Sequence, residues 1–387
     1  MPLFLLSTRL FMRIGIDARM YGANFTGIGR CTYELIKRLA TTDHEHEYVI
    51  FMRREGFDRF TPPDGRFTKV LADYPHYSSG EQFGFLRLLY RHRLDLIHFT
   101  HFNAPIFYRK PYVVTIHDLT LSFYPGKKMN HFLYRMAYHL VIRSVTRNAK
   151  RIIAVSRNTK KDLERVLHVP SDKIEVIYNG VDHHDDSITP SSHSDLFKKL
   201  HLGRPYFLYT GVWRDHKNVV GMIKAFHTFN QAHDHAYDLV ITGRPHPAYR
   251  EIPDTVKAFG LTSHVHLTGL VDEADLIALY KNALSYVFPS FYEGFGFPPL
   301  EAMYYGTPVI AANVSAIPEV CGPDATLYFD PRSESEMAEA MHSVATDIPL
   351  RQRLIDAGFK RVQQFKWDDS TKKTLKVYNS VLKKGFF

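Results

Sequence analysis

Cysteine is nearly absent: the 387 residues hold two, Cys31 and Cys321, far apart and at no metal-ligand spacing. That excludes a disulfide framework and points to a reducing compartment, with each thiol a small core hydrophobe. Long apolar runs are missing too. Nothing approaches the roughly 20 residues that span a bilayer. The opening Met1-Pro2-Leu3-Phe4-Leu5-Leu6 has no basic stretch before it, as a secretory signal would. Since Met12-Arg13-Ile14-Gly15-Ile16-Asp17 reads as a natural first strand, residues 1–11 are expected to be a dispensable extension. Two further absences bear on chemistry. No Asp-x-Asp stands near a strand end, and His183-His184-Asp185-Asp186 has no second cluster at ligand spacing, so no metal is expected. The turn Asn24-Phe25-Thr26-Gly27-Ile28-Gly29-Arg30 lacks the third glycine of a dinucleotide fingerprint.

What is present is a soluble, globular composition, 45% hydrophobic and 23% charged, with length for two domains. Short apolar strands alternate with helical stretches, the rhythm of a parallel sheet covered on both faces. Strands are expected at Arg13–Asp17, Tyr48–Met52, Leu96–Phe99, Tyr112–Ile116, Arg151–Val155 and Lys173–Ile177, with a helix at Cys31–Ala40. The rhythm restarts with Tyr206–Thr210, Asp238–Thr242, Val265–Leu267, Tyr286–Pro289, Val309–Ala311 and Thr326–Phe329. Between the halves, the polar, turn-rich stretch 179–192 reads as a linker. Two open sheets so joined imply a cleft at the carboxyl ends of their strands, where such folds bind ligands.

A net charge of +9 suggests an anionic partner. The charge is uneven, with no Asp or Glu from Leu119 to Lys161 while ten Lys and Arg lie within. Phe132, Leu133, Met136, Leu140, Val141 and Ile142 recur there at helical spacing. Two readings stay open: a helix that turns these residues to the core, or a basic amphipathic surface that docks on anionic lipid.

The most informative stretch is Ser290-Phe291-Tyr292-Glu293-Gly294-Phe295-Gly296-Phe297-Pro298-Pro299-Leu300-Glu301-Ala302-Met303. It reads as a strand-to-helix turn, the helix starting about Pro298. The amides of Gly294, Phe295, Gly296 and Phe297 would then sit at a helix N-terminus, which favours a phosphate. A carboxylate beside a phosphate site is wasteful unless it binds hydroxyls, and sugars present hydroxyls in pairs. His117-Asp118 follows the strand Pro111–Ile116, so His117 points into the cleft. Gly211 to Asn218 follows the first strand of the second half, placing Arg214 and Lys217 where a departing phosphate would need fixed cations. Gly243-Arg244 forms another strand-end turn. Ser156 is either a site serine or the cap of a helix Asn158–Leu167.

The run from Glu293 through Gly306-Thr307-Pro308-Val309, Ile317-Pro318-Glu319-Val320 and Leu327-Tyr328-Phe329-Asp330-Pro331 resembles the C-terminal domain of the family-four retaining glycosyltransferases. Their pattern is a glutamate, seven residues and a second glutamate. The resemblance implies an α/β GT-B fold: two Rossmann-like, doubly wound parallel-sheet domains facing a central cleft. Residues 12–185 would form the acceptor-side domain, 200–366 the nucleotide-sugar domain, and 367–387 a helix of the kind that often returns to the N-terminal domain. It implies a nucleoside-diphosphate sugar as donor, mannose leading, a saccharide or lipid-linked saccharide as acceptor, and no cofactor. Glu301 would hold the ribose, Glu293 the transferred sugar, and Gly27 and Gly29 would face the diphosphate. His117 matches the family's cleft histidine, and Gly243 and Arg244 would line the nucleotide pocket. One departure stands out: many relatives carry an arginine directly after Gly211, where this chain has Val212, and Arg214 is the replacement at hand. The expected location is the cytoplasm, at the inner face of the membrane, with no nucleic acid bound. The rival is a non-catalytic lipid- or nucleic-acid-binding protein using the basic surface, which would not need Glu293, Glu301 and the glycine turn.

Overall fold

The computed structural model describes residues 11–22, 26–127, 132–182, 193–200 and 202–383. The N-terminal sheet comprises β1 (Met12–Asp17), β2 (His46–Met52), β3 (Phe67–Leu71), β4 (Leu96–Phe99), β5 (Tyr112–Ile116), β6 (Arg151–Ala154) and β7 (Ile174–Val176). They lie in the order 3-2-1-4-5-6-7, every pair parallel. The second sheet holds β8 (Tyr206–Thr210), β9 (Asp238–Thr242), β10 (Val265–Gly269), β11 (Ser285–Phe288), β12 (Val309–Ala312) and β13 (Thr326–Phe329). Its order, 10-9-8-11-12-13, repeats the first six places of the N-terminal sheet, again all parallel.

Successive residues of a strand point to opposite faces, and both faces here are covered. On β2, Val49 and Phe51 join the cluster that holds Tyr138, Ile142 and Val145 of the helix Phe132–Asn148. Tyr48, Ile50 and Met52 join the other cluster, with Leu35, Ile36 and Leu39 of the helix Thr26–Thr42. That second cluster also takes Val377, Tyr378, Val381 and Leu382 from the helix Trp367–Lys383. The last described helix thus lies on the N-terminal sheet, where Tyr378 Oη meets His98 Nδ1 at 2.6 Å. Burial pushes the His98 ring down to about 3, so it stays neutral between Tyr378 and the Thr115 hydroxyl.

Two details differ from the sequence reading, and one alternative it leaves open is decided. β3 was not expected: it is an edge strand of five residues carrying Lys69, too short and polar to show a period. The first helix begins at Thr26, so Gly27 and Gly29 sit inside its opening turns, not in a turn before it. On Phe132–Asn148, Phe132, Leu133, Met136 and Leu140 face outward; only the Tyr138, Ile142 and Val145 side packs. The stretch His183–Asp186 and Lys128 lie outside the described residues.

Candidate active site

In each sheet the strand order reverses beside its first strand, between β1 and β4 and between β8 and β11. Loops leaving the carboxyl ends at such a point diverge and open a crevice. Here the crevices of the two domains face each other, and the domains touch around them. An added Cβ on Gly294 would lie 1.9 Å from the carbonyl oxygen of His117, so only glycine lets the β11 loop meet the β5 loop. The Thr159 hydroxyl lies 3.2 Å from the His117 carbonyl and 3.3 Å from that of Gly294. Tyr292 reaches across to donate to Asp162 at 2.8 Å.

The β8 and β11 loops bring Lys217 and Glu293 together. The Lys217 ammonium donates to Glu293 Oε1 at 2.6 Å, both side chains mostly buried, while the Glu293 amide donates to Ser315 Oγ at 2.9 Å. Asn218, next to Lys217, has a left-handed backbone and donates from its amide to the Pro331 carbonyl at 2.8 Å, which anchors the loop. Arg214 lies three residues before Lys217, half-buried, and its guanidinium forms no ion pair among the described residues. Val212, the residue directly after Gly211, is exposed.

The helix Phe297–Tyr304 follows Gly296, whose φ is +107°. It carries Glu301 into a cavity of about 580 Å³ between the domains, walled by Gly29, Arg30 and Tyr33 on one side and by Glu273, Tyr280 and Tyr305 on the other. Tyr280 donates to Glu301 Oε2 at 3.0 Å and pairs with the Thr210 hydroxyl at 3.0 Å. Burial raises the Glu301 carboxyl above its ordinary 4.5. Burial and the nearby Glu301 hold the Tyr280 phenol far above its usual range, so it remains a donor. Arg30 lies 3.9 Å from Glu34 on its own helix and 4.0 Å from Glu273 across the cavity.

His117 Nε2 stands 3.0 Å from the Thr100 carbonyl, which can only accept, so the proton sits on Nε2 and Nδ1 is left as an acceptor. Burial holds its pKa below 6.5. Gly27 touches the Phe297 ring, an added Cβ lying 3.2 Å from it. Gly243 serves packing: at φ +134° its Cβ would fall 2.0 Å from the Gly211 carbonyl, which lets the β8 and β9 turns meet. Ser156 is a cap, accepting from the Thr159 amide at 3.0 Å in front of the helix Arg157–Leu167.

That cap has a second member, whose capping role the sequence does not signal. Glu319, from the C-terminal domain, accepts from the amides of Arg157 at 2.7 Å and Asn158 at 3.0 Å, and from Tyr178 Oη at 2.8 Å. Tyr280 and Arg30 were missed as well. The local sequence around each of the three does not reveal its role, because each acts on a group 21 to 243 positions away in sequence. Among the described residues no three His, Cys, Asp or Glu cluster as metal ligands would.

Two Rossmann-like domains with facing switch points define the GT-B class of glycosyltransferase. The model for glycosyl transferases group 1 matches residues 193–361, and that for glycosyltransferase family 4 matches residues 25–185. The chain belongs to this family. It is 27% identical over 385 residues to O-antigen chain mannosyltransferase B of Escherichia coli, covering 91% of this chain and 96% of that one. To O-antigen chain mannosyltransferase RfbU of Salmonella typhimurium it is 29% identical over 63% of each chain. Among solved structures, an Anabaena protein, HepE, in complex with UDP-glucose superposes with a TM-score of 0.75 at 17% identity, covering 95% of this chain and 100% of that one.

Proposed function

We propose that this glycosyltransferase moves a mannosyl group from a nucleoside-diphosphate mannose to a hydroxyl of a saccharide or lipid-linked saccharide, with retention and without a metal. The choice of mannose leans on its E. coli and Salmonella relatives, both O-antigen chain mannosyltransferases. A nucleoside-diphosphate donor is supported by HepE, a neighbour in fold solved with UDP-glucose. The observation that carries the reading is the Lys217–Glu293 pair at the switch point, with Glu301 in the adjoining cavity.

In this reading Glu301, aimed by Tyr280, accepts from the ribose hydroxyls. Lys217 has three N–H donors, so it can keep Glu293 and also bind the diphosphate. The amides from Gly294 to Phe297 share that charge, and Arg214 adds a second cation. Glu293 orients the mannose hydroxyls, and His117 Nδ1 accepts from one of them. The acceptor oxygen attacks the anomeric carbon as its bond to the phosphate oxygen breaks. The acceptor's proton passes to that departing oxygen, on the same face of the sugar, so configuration is kept.

The test is release of nucleoside diphosphate from GDP-mannose by Glu293→Gln. Turnover should fall more than about tenfold, over 1.4 kcal/mol in barrier, while nucleoside-diphosphate affinity holds within about twofold. EDTA should leave the wild-type rate unchanged. Undiminished turnover in the variant, or a chelated enzyme revived only by magnesium or manganese, would overturn the assignment.

A further inference from the structure

The helix Phe132–Asn148 turns its most apolar side chains to solvent. Phe132 is 75% exposed, Leu133 69%, Leu140 59% and Met136 53%. Phe132, Met136 and Leu140 are spaced four apart and form one stripe, with Leu133 beside it. Phe107, also exposed, lies next to it, since the Ser144 hydroxyl reaches the Ile106 carbonyl at 3.5 Å. A contiguous outward apolar stripe on a soluble domain marks a surface that something covers.

The charge around it says what. Residues 82–161 hold fifteen Lys and Arg against two Asp, a surplus of 13 in a chain whose net charge is +9. Arg143 and Arg147 continue the stripe into the last turns of the helix, and Arg135 flanks it; all three are exposed. None forms an ion pair among the described residues, whereas Lys127 is already taken by Glu251. A second copy on this face would set arginines against arginines. A bilayer of anionic lipid satisfies both ends, with acyl chains for the first turns and headgroups for the last.

We infer that the helix Phe132–Asn148 inserts its N-terminal half into anionic membrane, holding the enzyme at the bilayer surface. Apolar insertion, rather than basic charge alone, makes the contact. The helix lies close to the cleft: Tyr138, on its buried side, packs edge-on against Phe102 and meets the Ser122 hydroxyl at 3.0 Å, just past His117-Asp118. A lipid-anchored acceptor would therefore reach the cleft without leaving the membrane. The inference stands independently of the donor and of the roles given to Glu293 and Glu301.

The full chain is sedimented with vesicles of equal parts phosphatidylglycerol and phosphatidylcholine, at low and high salt. The wild type should pellet with them and be released only in part by salt, because buried apolar area is not screened. Combining Phe132→Ser, Leu133→Ser, Met136→Ser and Leu140→Ser should lower partitioning by about tenfold or more. Its circular dichroism and nucleoside-diphosphate binding should be unchanged. Native Trp213 and Trp367 are buried, so a Leu133→Trp variant reports insertion directly, and its emission should shift to the blue on adding vesicles. Three results would each overturn the inference: a wild type that stays in the supernatant, a fourfold variant that still pellets, or a dimer that the fourfold variant dissolves with no vesicle binding.

Discussion

The two domains share a strand order and treat charge at their strand ends in opposite ways. At the end of β1, Arg19 is fully buried, bonded to Asp17 at 2.8 Å and Glu81 at 2.9 Å, with Phe85 4.0 Å below its guanidinium. Every charge there is answered from within the protein. At the end of β8, the Lys217–Glu293 pair keeps some exposure, and Glu301 ends in a cavity large enough for a nucleoside. Charges that satisfy one another hold a fold together; charges left facing a void hold a ligand. Equal strand order therefore says where a site can form, and the pairing of the charges says which domain uses it.

Breaking each set should separate these roles. Arg19→Ala strands two buried carboxylates and should cost about 3–5 kcal/mol of stability, seen as a lowered denaturant midpoint. Lys217→Ala leaves one mostly buried carboxylate, Glu293, without its partner and should cost less than Arg19→Ala, about 1–3 kcal/mol of stability, while nearly abolishing turnover. Equal destabilisation by the two would erase the distinction.

A smaller effect is expected at the ribose contact. Glu301→Ala should weaken nucleoside-diphosphate binding at least tenfold by calorimetry, since each charge-assisted hydrogen bond contributes about 1.5–3 kcal/mol. The ionised carboxylate is the form that accepts from hydroxyls. Burial raises its pKa in the free protein, so affinity should fall as the pH drops and begin to do so above the ordinary glutamate range. Affinity flat with pH down to the ordinary glutamate range would remove Glu301 from the contact.

The smallest effect concerns the seam between the domains. Glu319→Gln keeps one acceptor for the Arg157–Leu167 helix but loses the charge that complements its N-terminus. It should lower stability by about 1 kcal/mol. A thermal melt checks this, and a change of several kcal/mol would mean that the seam does more than cap.

Much of this architecture was readable because it rests on local patterns. Strands buried on both faces appear as β-branched and aromatic runs, and twelve of the thirteen were located that way. The exception, β3, is an edge strand beside Pro62-Pro63 with a lysine at its centre, where neither run nor alternation is present. The Glu293-to-Glu301 loop and Lys217 were visible as motifs because a turn and a helix start leave signatures at fixed offsets. What faces what was not visible. Periodicity shows that the residues of Phe132–Asn148 form a stripe, yet which side packs depends on Phe102, Ser122 and the sheet beneath. Tyr280 and Glu319 look like surface residues until the chain is folded, since their partners arrive from elsewhere.

The return of the helix Trp367–Lys383 to the N-terminal sheet sets an order of events on the ribosome. Asp182, which accepts from the Trp367 amide at 2.8 Å, emerges 185 residues before its partner. At about 5–20 residues per second, the first domain waits roughly 10–40 s for the side chains that finish its core. Until Val377, Tyr378, Val381 and Leu382 arrive beside Leu35, Ile36 and Leu39, part of one face of its sheet stays open, so the domain made first is completed last.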